Sequence, residues 1–238
     1  MDPSHRRPVL LSKLTRREVR QALETGEIKA AIIPTGSIEQ HLEHLALEHD
    51  IASATAVAVA AAERLYPSVL VATPMSIGIS EHHMFAPGTL TAKPGSWLAV
   101  LFDAVESLIR HGIKKVVILN GHAGNVRPVQ GVLDQWNLYF QREHPSSQVV
   151  FYSYWDLIPK DFALQVLESG RYPGHAQEFE TAIALYAFPE NVRVKAVADQ
   201  EDHEPSLANP EKGEILFGKA VDGVVKCLTE LIEAGQEG

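Results

Sequence analysis

Four short apolar runs recur along the chain, and they set the frame of the predicted fold. They cover residues 29–34, 68–72, 115–119 and 148–152. Each run is rich in β-branched residues and continuously apolar, with no alternation of polar and apolar positions. That pattern is typical of parallel strands that are covered by helices on both faces.

Longer stretches with apolar residues at helical spacing lie between and after these runs. They predict helices over residues 51–65, 97–111, 127–141, 178–188 and 211–234. Pro94 and Gly112 mark the start and end of the second helix, and Pro189 ends the fourth. Strands that alternate with helices imply crossover connections. The sequence therefore predicts one α/β domain over residues 1–238, a three-layer α/β/α sandwich with a mostly parallel central sheet.

Three segments are long for connections in such a domain: residues 36–50, 73–91 and 159–174. Long loops are commonly functional. In an open α/β sheet, ligands bind beyond the carboxyl ends of the strands. Polar clusters follow the first three predicted strands, so we expect a site at this edge of the sheet.

The first cluster lies in residues 34–50. Glu39 and His41 are two positions apart, so in extended backbone both side chains project to the same side. With Asp50 they form a ligand set that suits Zn²⁺, Mn²⁺ or Fe²⁺. The alternative is a solvated amphipathic segment in which histidines merely stand beside glutamates.

Two further clusters contain the same chemistry. His122 follows the third strand between glycines, as a ligand or as part of a tight Asn-Gly turn. His175 precedes Glu178 and Glu180, which either serve a site or compensate the dipole at the start of a helix. Three such clusters at one sheet edge favour a metal site over three independent coincidences.

The fourth cluster covers residues 78–89. Ser80, Glu81 and His82 either line a substrate pocket or belong to an ordered loop braced by its own hydrogen bonds. The residues alone leave both interpretations open.

Charge and cysteine content exclude several classes of partner. The formal net charge of −9 argues against nucleic acid or an anionic membrane as the main partner. The single cysteine, Cys227, forms no internal disulfide and is expected in the core. No apolar run resembles a signal peptide or a membrane span, so a cytoplasmic location is expected.

Four segments in this order resemble the motifs of the creatininase (creatinine amidohydrolase) family. They read PTGSIEQHLEHLALEHD (34–50), GISEHHMFAPGT (78–89), NGHAGN (120–125) and GHAQEFET (174–181). The stretch ANPEKGEIL (208–216) resembles the family's closing segment before its last helix. Because the motifs are spread over most of the chain, the resemblance is specific.

The resemblance implies a creatininase-like fold and a metal-dependent hydrolase that cleaves a C–N bond of a cyclic amide or amide-like substrate with a metal-activated water. It implies one or two divalent ions per chain, Zn²⁺ first and Mn²⁺ or Fe²⁺ as alternatives, with Asp50 as the bridge. A small-molecule substrate and a homo-oligomer, in this family often a hexamer, are also implied. The implied metal ligands are Glu39, His41, Asp50, His122 and Glu180; the implied catalytic residues are His175 and Glu178; the expected substrate-binding residues are Ser80, Glu81, His82, Trp155 and Tyr172.

Departures from the family pattern qualify this reading. Gly124 stands where creatininase has a glutamate ligand, so the second metal would recruit Glu180 or be weakly held. His49 replaces a small residue and is expected to be exposed. Arg171 and Tyr172 stand where creatininase has tryptophan, and an arginine there would suit a substrate with a carboxylate or several hydroxyls. Creatinine is therefore not the favoured substrate.

Two alternatives stay open. One is hydrolytic deformylation, or ring opening of a cyclic ketone or sugar-like substrate at a C–C bond. The other is a metal-binding relative that has lost the reaction, which Gly124 and the replacement of a family proline by Ala46 would favour.

Overall fold

A single parallel sheet forms the centre of the molecule, for which the computed structural model describes residues 7–234. The strands are β1 (Ala30–Thr35), β2 (Val69–Val71), β3 (Lys115–Asn120) and β4 (Gln148–Ser153), in the order β2-β1-β3-β4. All four predicted strands are confirmed, and every pairing among them is parallel. Thr35 pairs with Asn120 and Asn120 with Ser153, so three polar residues end the strands at one edge.

Helices cover both faces of this sheet. They are α1 (Arg16–Glu24), α2 (His49–Arg64), α3 (Pro94–Arg110), α4 (Val126–Gln130), α5 (Leu133–Glu143), α6 (Lys160–Val166), α7 (Glu178–Ala187), α8 (Val194–Val197) and α9 (Pro210–Glu233). The five predicted helices are present, although the third is interrupted at Gly131 and forms α4 and α5. Helices α1, α6 and α8 were not predicted. A capping box between Thr15 and Glu18 starts α1, and its T-x-x-E signature is visible in the sequence.

Two hydrophobic cores lie on opposite sides of the sheet because successive strand residues point to opposite faces. Ile32 and Val117 pack with α2, α7 and α9, whereas Ile33 and Ile118 pack with α1, α3 and α5. The predicted three-layer α/β/α sandwich is therefore confirmed. Cys227, expected in the core, is only partly buried in α9.

The start of α2 lies directly against the carboxyl ends of β1 and β3. A Cβ atom at Gly36 would stand 2.5 Å from the backbone nitrogen of Ile51, and one at Gly121 would stand 2.1 Å from the carbonyl oxygen of Asp50. Glycine at both positions permits this close approach. The first turn of α2 is thereby fixed over the edge of the sheet where the polar clusters meet. No helix between residues 7 and 234 has the length and apolar character needed to cross a bilayer.

Candidate metal centre

Five ligand-type side chains from four parts of the chain converge at this edge of the sheet. Glu39 and His41 come from the loop after β1, Asp50 from the first turn of α2, His122 from the segment after β3, and Glu180 from the first turn of α7. None of them is more than 5% exposed. Sequence-distant residues with metal-ligand chemistry thus form one buried group.

Asp50 lies at the centre of this group. Its Oδ1 atom is 3.0 Å from Nε2 of His41, and its Oδ2 atom is 2.9 Å from Nδ1 of His122. The second contact lacks hydrogen-bond geometry, so the two atoms lie close without satisfying each other. One carboxylate therefore stands between two imidazoles and presents one oxygen to each.

The outer nitrogens of both imidazoles are held by backbone carbonyl groups. Nδ1 of His41 is 3.1 Å from the carbonyl oxygen of Glu39, and Nε2 of His122 is 3.0 Å from that of Ile79. A ring N–H that donates to a carbonyl fixes the tautomer, which leaves the other nitrogen as a lone-pair donor. In His41 that nitrogen also lies 3.8 Å from Oε2 of Glu180, and in His122 it lies 3.3 Å from Oε2 of Glu39.

Two asparagines of the NGHAGN segment fix the position of His122. The Asn120 side chain donates to the carbonyl oxygen of His122 at 2.7 Å. The Asn125 side chain donates to the carbonyl oxygen of Gly36 at 3.2 Å and accepts from the backbone N–H of Ile79 at 3.0 Å. The segment is thus more than an Asn-Gly turn, because it joins three loops around the histidine.

Electrostatic interactions within the group shift the pKa values of its members. Burial opposes the charged form of each residue, but the neighbouring histidines outweigh it and hold the pKa of Asp50 below its usual range. For His41 and His122 burial is likewise outweighed, here by Asp50 and neighbouring carboxylates, and the pKa rises to about 9 and about 10. For Glu180 burial prevails and raises the pKa to about 7.

This donor set fits divalent metal ions. One ligand atom each from Glu39, His41 and Asp50 lies within 4.8 Å of the others, and the same holds for His41, His175 and Glu180. Three buried carboxylates near two histidines are costly without compensating charge. Nitrogen and carboxylate donors together suit Zn²⁺, Mn²⁺ and Fe²⁺.

A cavity of about 220 Å³ opens onto the group. Its lining comprises the carboxylates and His122 named above, the side chains of His82, His83, Trp155 and His175, and the chain at Gly121, Ala123, Pro173 and Gly174. The predicted residues His82, Trp155 and His175 are therefore brought to the cavity. Burial, followed by the nearby His41, lowers the pKa of His175 to about 4.

Three other residues predicted to bind substrate do not line the cavity. Ser80 is buried beneath Glu39 and donates to Oε2 of its carboxylate. The Tyr172 hydroxyl donates to the carbonyl oxygen of Trp155, so it positions the cavity wall from behind. Glu81 is exposed on the turn Glu81–His83.

Glu178 is not brought to the cavity. Its carboxylate accepts the backbone N–H of Ser169 at 2.7 Å and lies 2.6 Å from Nζ of Lys212. Successive helix residues are rotated by about 100°, so Glu178 and Glu180 point to different sides of α7. Its position therefore does not support the predicted catalytic role.

Gln40 and His83 belong to the site although the sequence analysis did not select them. Nε2 of Gln40 is 2.9 Å from Nδ1 of His83 and 2.9 Å from Nε2 of His175. Gln40 stands inside the E-Q-H motif and His83 next to His82, so both were within the motif segments.

Two expectations about flanking residues are wrong. His49, expected to be exposed, is 1% exposed, because it begins α2 on the side that faces the core, where its ring lies 5.0 Å from that of His41. Arg171 does not line the cavity, since its guanidinium pairs with Glu204 at 2.9 Å. An arginine that binds a substrate carboxylate is therefore missing from the predicted place.

Comparison with known proteins agrees with this geometry. The family model "Creatininase: Creatinine amidohydrolase" matches residues 12–228. The creatinine amidohydrolase of Pseudomonas putida is 25% identical, over 93% of this chain and 96% of its own length. The mycofactocin precursor peptide peptidase of Mycobacterium ulcerans (strain Agy99) is 33% identical, over 55% of this chain and 54% of its own length.

Solved structures show the same fold. A structure named "Creatininase Mn" has a TM-score of 0.82 and 25% identity, and the match covers 94% of this chain and 98% of that one. These likenesses confirm the sequence-based prediction of a metal-dependent hydrolase of the amidohydrolase type. The chain belongs to the creatininase family, whose model matches it from residue 12 to residue 228.

Proposed function

We propose that this chain hydrolyses the C–N bond of a small, uncharged amide, cyclic or linear, with two divalent ions bridged by Asp50. The observation that carries the proposal is the position of Asp50, whose two oxygens face His41 and His122 separately. A carboxylate in that position suits two ions at once, one on each side.

The proposed ligand sets follow from the distances around Asp50. His41 and Glu180 hold the first ion with Asp50, and Glu39 and His122 hold the second with Asp50. Zn²⁺ is the first candidate, with Mn²⁺ or Fe²⁺ as alternatives, because the set mixes imidazole with carboxylate. Among family structures one is named for Mn and another is named "Zn-Zn type", and the latter, at 24% identity, supports the shared fold only.

The bound ions would lower the pKa of a water molecule and polarise the substrate carbonyl. The remaining work falls to side chains of the chain itself. His175 lines the cavity, and its Nε2 atom lies 3.0 Å from the carbonyl oxygen of Gln40, which leaves Nδ1 on the side of Glu39. We assign to His175 the transfer of a proton to the departing nitrogen, since it stands beside the ligands without being needed to complete either set.

The cavity favours a small and neutral substrate. Its volume of about 220 Å³ is below the range of about 300–1,000 Å³ that is common for drug-sized ligands. Among the described residues that line it there is neither lysine nor arginine, and Trp155 and Pro173 supply apolar wall. Two relatives are named for hydrolysis of creatinine or of a peptide, which favours amide cleavage over C–C ring opening or deformylation.

Three further expectations remain proposals. We propose one domain over residues 1–238, because both cores share the same sheet. We also propose a cytoplasmic location and a closed homo-oligomer, for which a hexamer is the first arrangement to test.

Metal content per chain tests the proposal, measured by plasma mass spectrometry on native protein and on Asp50→Ala, His122→Ala and His111→Ala. Asp50→Ala should lose both ions because it removes the bridge, and His122→Ala should lose one. His111 is exposed at the end of α3, so its variant should retain both. Two ions in Asp50→Ala, or no ion in reconstituted native protein, would refute the two-metal site.

Turnover on a substrate panel then tests the reaction. The panel contains cyclic amides, linear amides, formamides and ketonic sugars. Turnover of an amide that disappears on chelation and returns with metal supports the proposal. Turnover confined to formamides or ketonic sugars would replace it with one of the alternatives.

A further inference from the structure

His82 differs from the other histidines of the cavity in the freedom of its ring. It lies on the turn Glu81–His83, and its ring stacks on that of His122 at 5.6 Å between centroids and 12° between planes. Within residues 7–234, neither ring nitrogen of His82 has a hydrogen-bond partner. In contrast, His83 is held by Gln40. The ring nitrogens of His82 are therefore available to a ligand in the cavity.

The position of His82 is compatible with metal coordination. One ligand atom each from Glu39, His82 and His122 lies within 4.8 Å of the others. Two ligands of the same zinc ion lie at most about 4.2 Å apart, since each bond is about 2.1 Å long. An exposed side chain on a turn can close the remaining difference by rotation about its side-chain bonds.

Position 124, on the other side of His122, has no room for a ligand. A Cβ atom on Gly124 would stand 2.1 Å from the carbonyl oxygen of Ile79 and 2.4 Å from Nε2 of His122. Ile79 is the residue whose carbonyl holds His122, so a side chain at position 124 would disturb an existing ligand. A further ligand for this ion therefore has to come from the cavity side, where His82 lies.

We propose that His82 is a fourth protein ligand of the ion held by Glu39, Asp50 and His122. This inference rests on the proposed function, to which it adds one ligand. It makes the two ions unequal, because the ion at His41, Asp50 and Glu180 has three protein ligands and keeps an open position. The ion at His82 is the more tightly held and the more selective for zinc, because imidazole suits zinc better than manganese.

Metal affinity of native protein and of His82→Ala tests the inference, measured for Zn²⁺ and Mn²⁺ by competition with a chromophoric chelator. Loss of a partner that merely orients a ligand weakens metal binding by about 10- to 100-fold, so loss of a ligand should weaken zinc binding at one site at least tenfold. Manganese binding should fall less, so the ratio of zinc to manganese affinity falls. The matched control is Met84→Ala, an exposed side chain that follows the same turn.

The outcomes separate this inference from the proposed function. If native protein binds two ions and His82→Ala binds both with less than a tenfold loss, only the His82 assignment is overturned. If native protein binds no ion after reconstitution, the proposed function fails as well. A measurement on native protein covers the case in which the variant misfolds: with Co²⁺ bound, the ring protons of His82 should show large paramagnetic shifts, and an ordinary spectrum for this ring would overturn the assignment.

Discussion

Replacement of Gly121 by alanine tests whether the metal centre depends on the close approach of β3 to α2. Gly121 lies between Asn120, which ends β3, and the ligand His122. Its backbone N–H donates to the carbonyl oxygen of Thr35 at 2.8 Å, which holds it against β1. A new Cβ atom would stand 2.1 Å from the carbonyl oxygen of Asp50 and 2.9 Å from its carbonyl carbon.

The expected loss of stability follows from these distances. A Cβ atom rarely approaches another heavy atom closer than 3.0 Å, so about 1 Å of separation has to be created. The obstructing atoms belong to the backbone of α2 and cannot rotate away as a side chain would. Overpacking of this kind costs about 1–3 kcal/mol, and we expect the upper part of that range. The same displacement moves Asp50 away from His122, so metal binding should weaken in parallel.

Urea unfolding in the presence of a chelator measures the stability effect without a contribution from bound metal. The control is Gly218→Ala in α9, where a Cβ atom would meet nothing within 4 Å. In a helix interior this change should stabilise the protein by about 0.5–1 kcal/mol, because alanine loses less conformational freedom than glycine on folding. The same chemical substitution is thus expected to have opposite signs at the two positions.

The result that would refute the reasoning is a Gly121→Ala protein with native stability and native metal content. Such a protein would show that α2 and β3 separate at little cost. The position of Asp50 would then not depend on glycine at this point, and the account of how the centre is assembled would be wrong.

Three further predictions concern charge, catalysis and metal linkage. Lys212→Met should lower the free energy of unfolding by about 3 kcal/mol, since it leaves the buried Glu178 carboxylate without its cation, and Glu178→Gln in the same protein should recover most of the loss; a Lys212→Met protein as stable as the native one would contradict this. Although burial raises the pKa of Glu178, Lys212 and backbone N–H groups lower it overall, so the difference between native and Lys212→Met should be largest at neutral pH and shrink as the pH falls through the acid range. His175→Ala should keep its metal by mass spectrometry but lower kcat at least about 100-fold on any amide substrate found, and an unchanged kcat would remove His175 from proton transfer. Zn²⁺ at about 1,000 times its Kd should stabilise chelator-treated protein by about 4 kcal/mol in urea unfolding, and Asp50→Asn should abolish this gain; equal gains in both proteins would place the binding elsewhere.

The sequence was sufficient for the architecture and for the location of the site. Continuous apolar runs identified all four strands, because a strand covered on both faces has to be apolar at every position. Polar residues directly after those runs located the centre, since the carboxyl ends of parallel strands meet at one edge. The motifs then identified the family, which the match over residues 12–228 confirms.

Helix boundaries were less accessible where local signals conflict with packing. The interruption between α4 and α5 falls at Gly131, within one continuous apolar pattern. Helix α6 lies in a segment that reads as irregular, since its seven residues are too few for a clear periodicity.

Only the tertiary structure decided which side chains within each motif face the cavity. Two glutamates two positions apart look equivalent in sequence, yet Lys212, 34 residues away, binds Glu178 and leaves Glu180 to the centre. The burial of His49 and the pairing of Arg171 with Glu204 were likewise decided by partners from other elements. The sequence by itself determined the strands, the family and the edge where ligands gather, because these depend on local pattern and on parallel topology. The direction of each side chain depends on contacts between distant elements, which no local pattern contains.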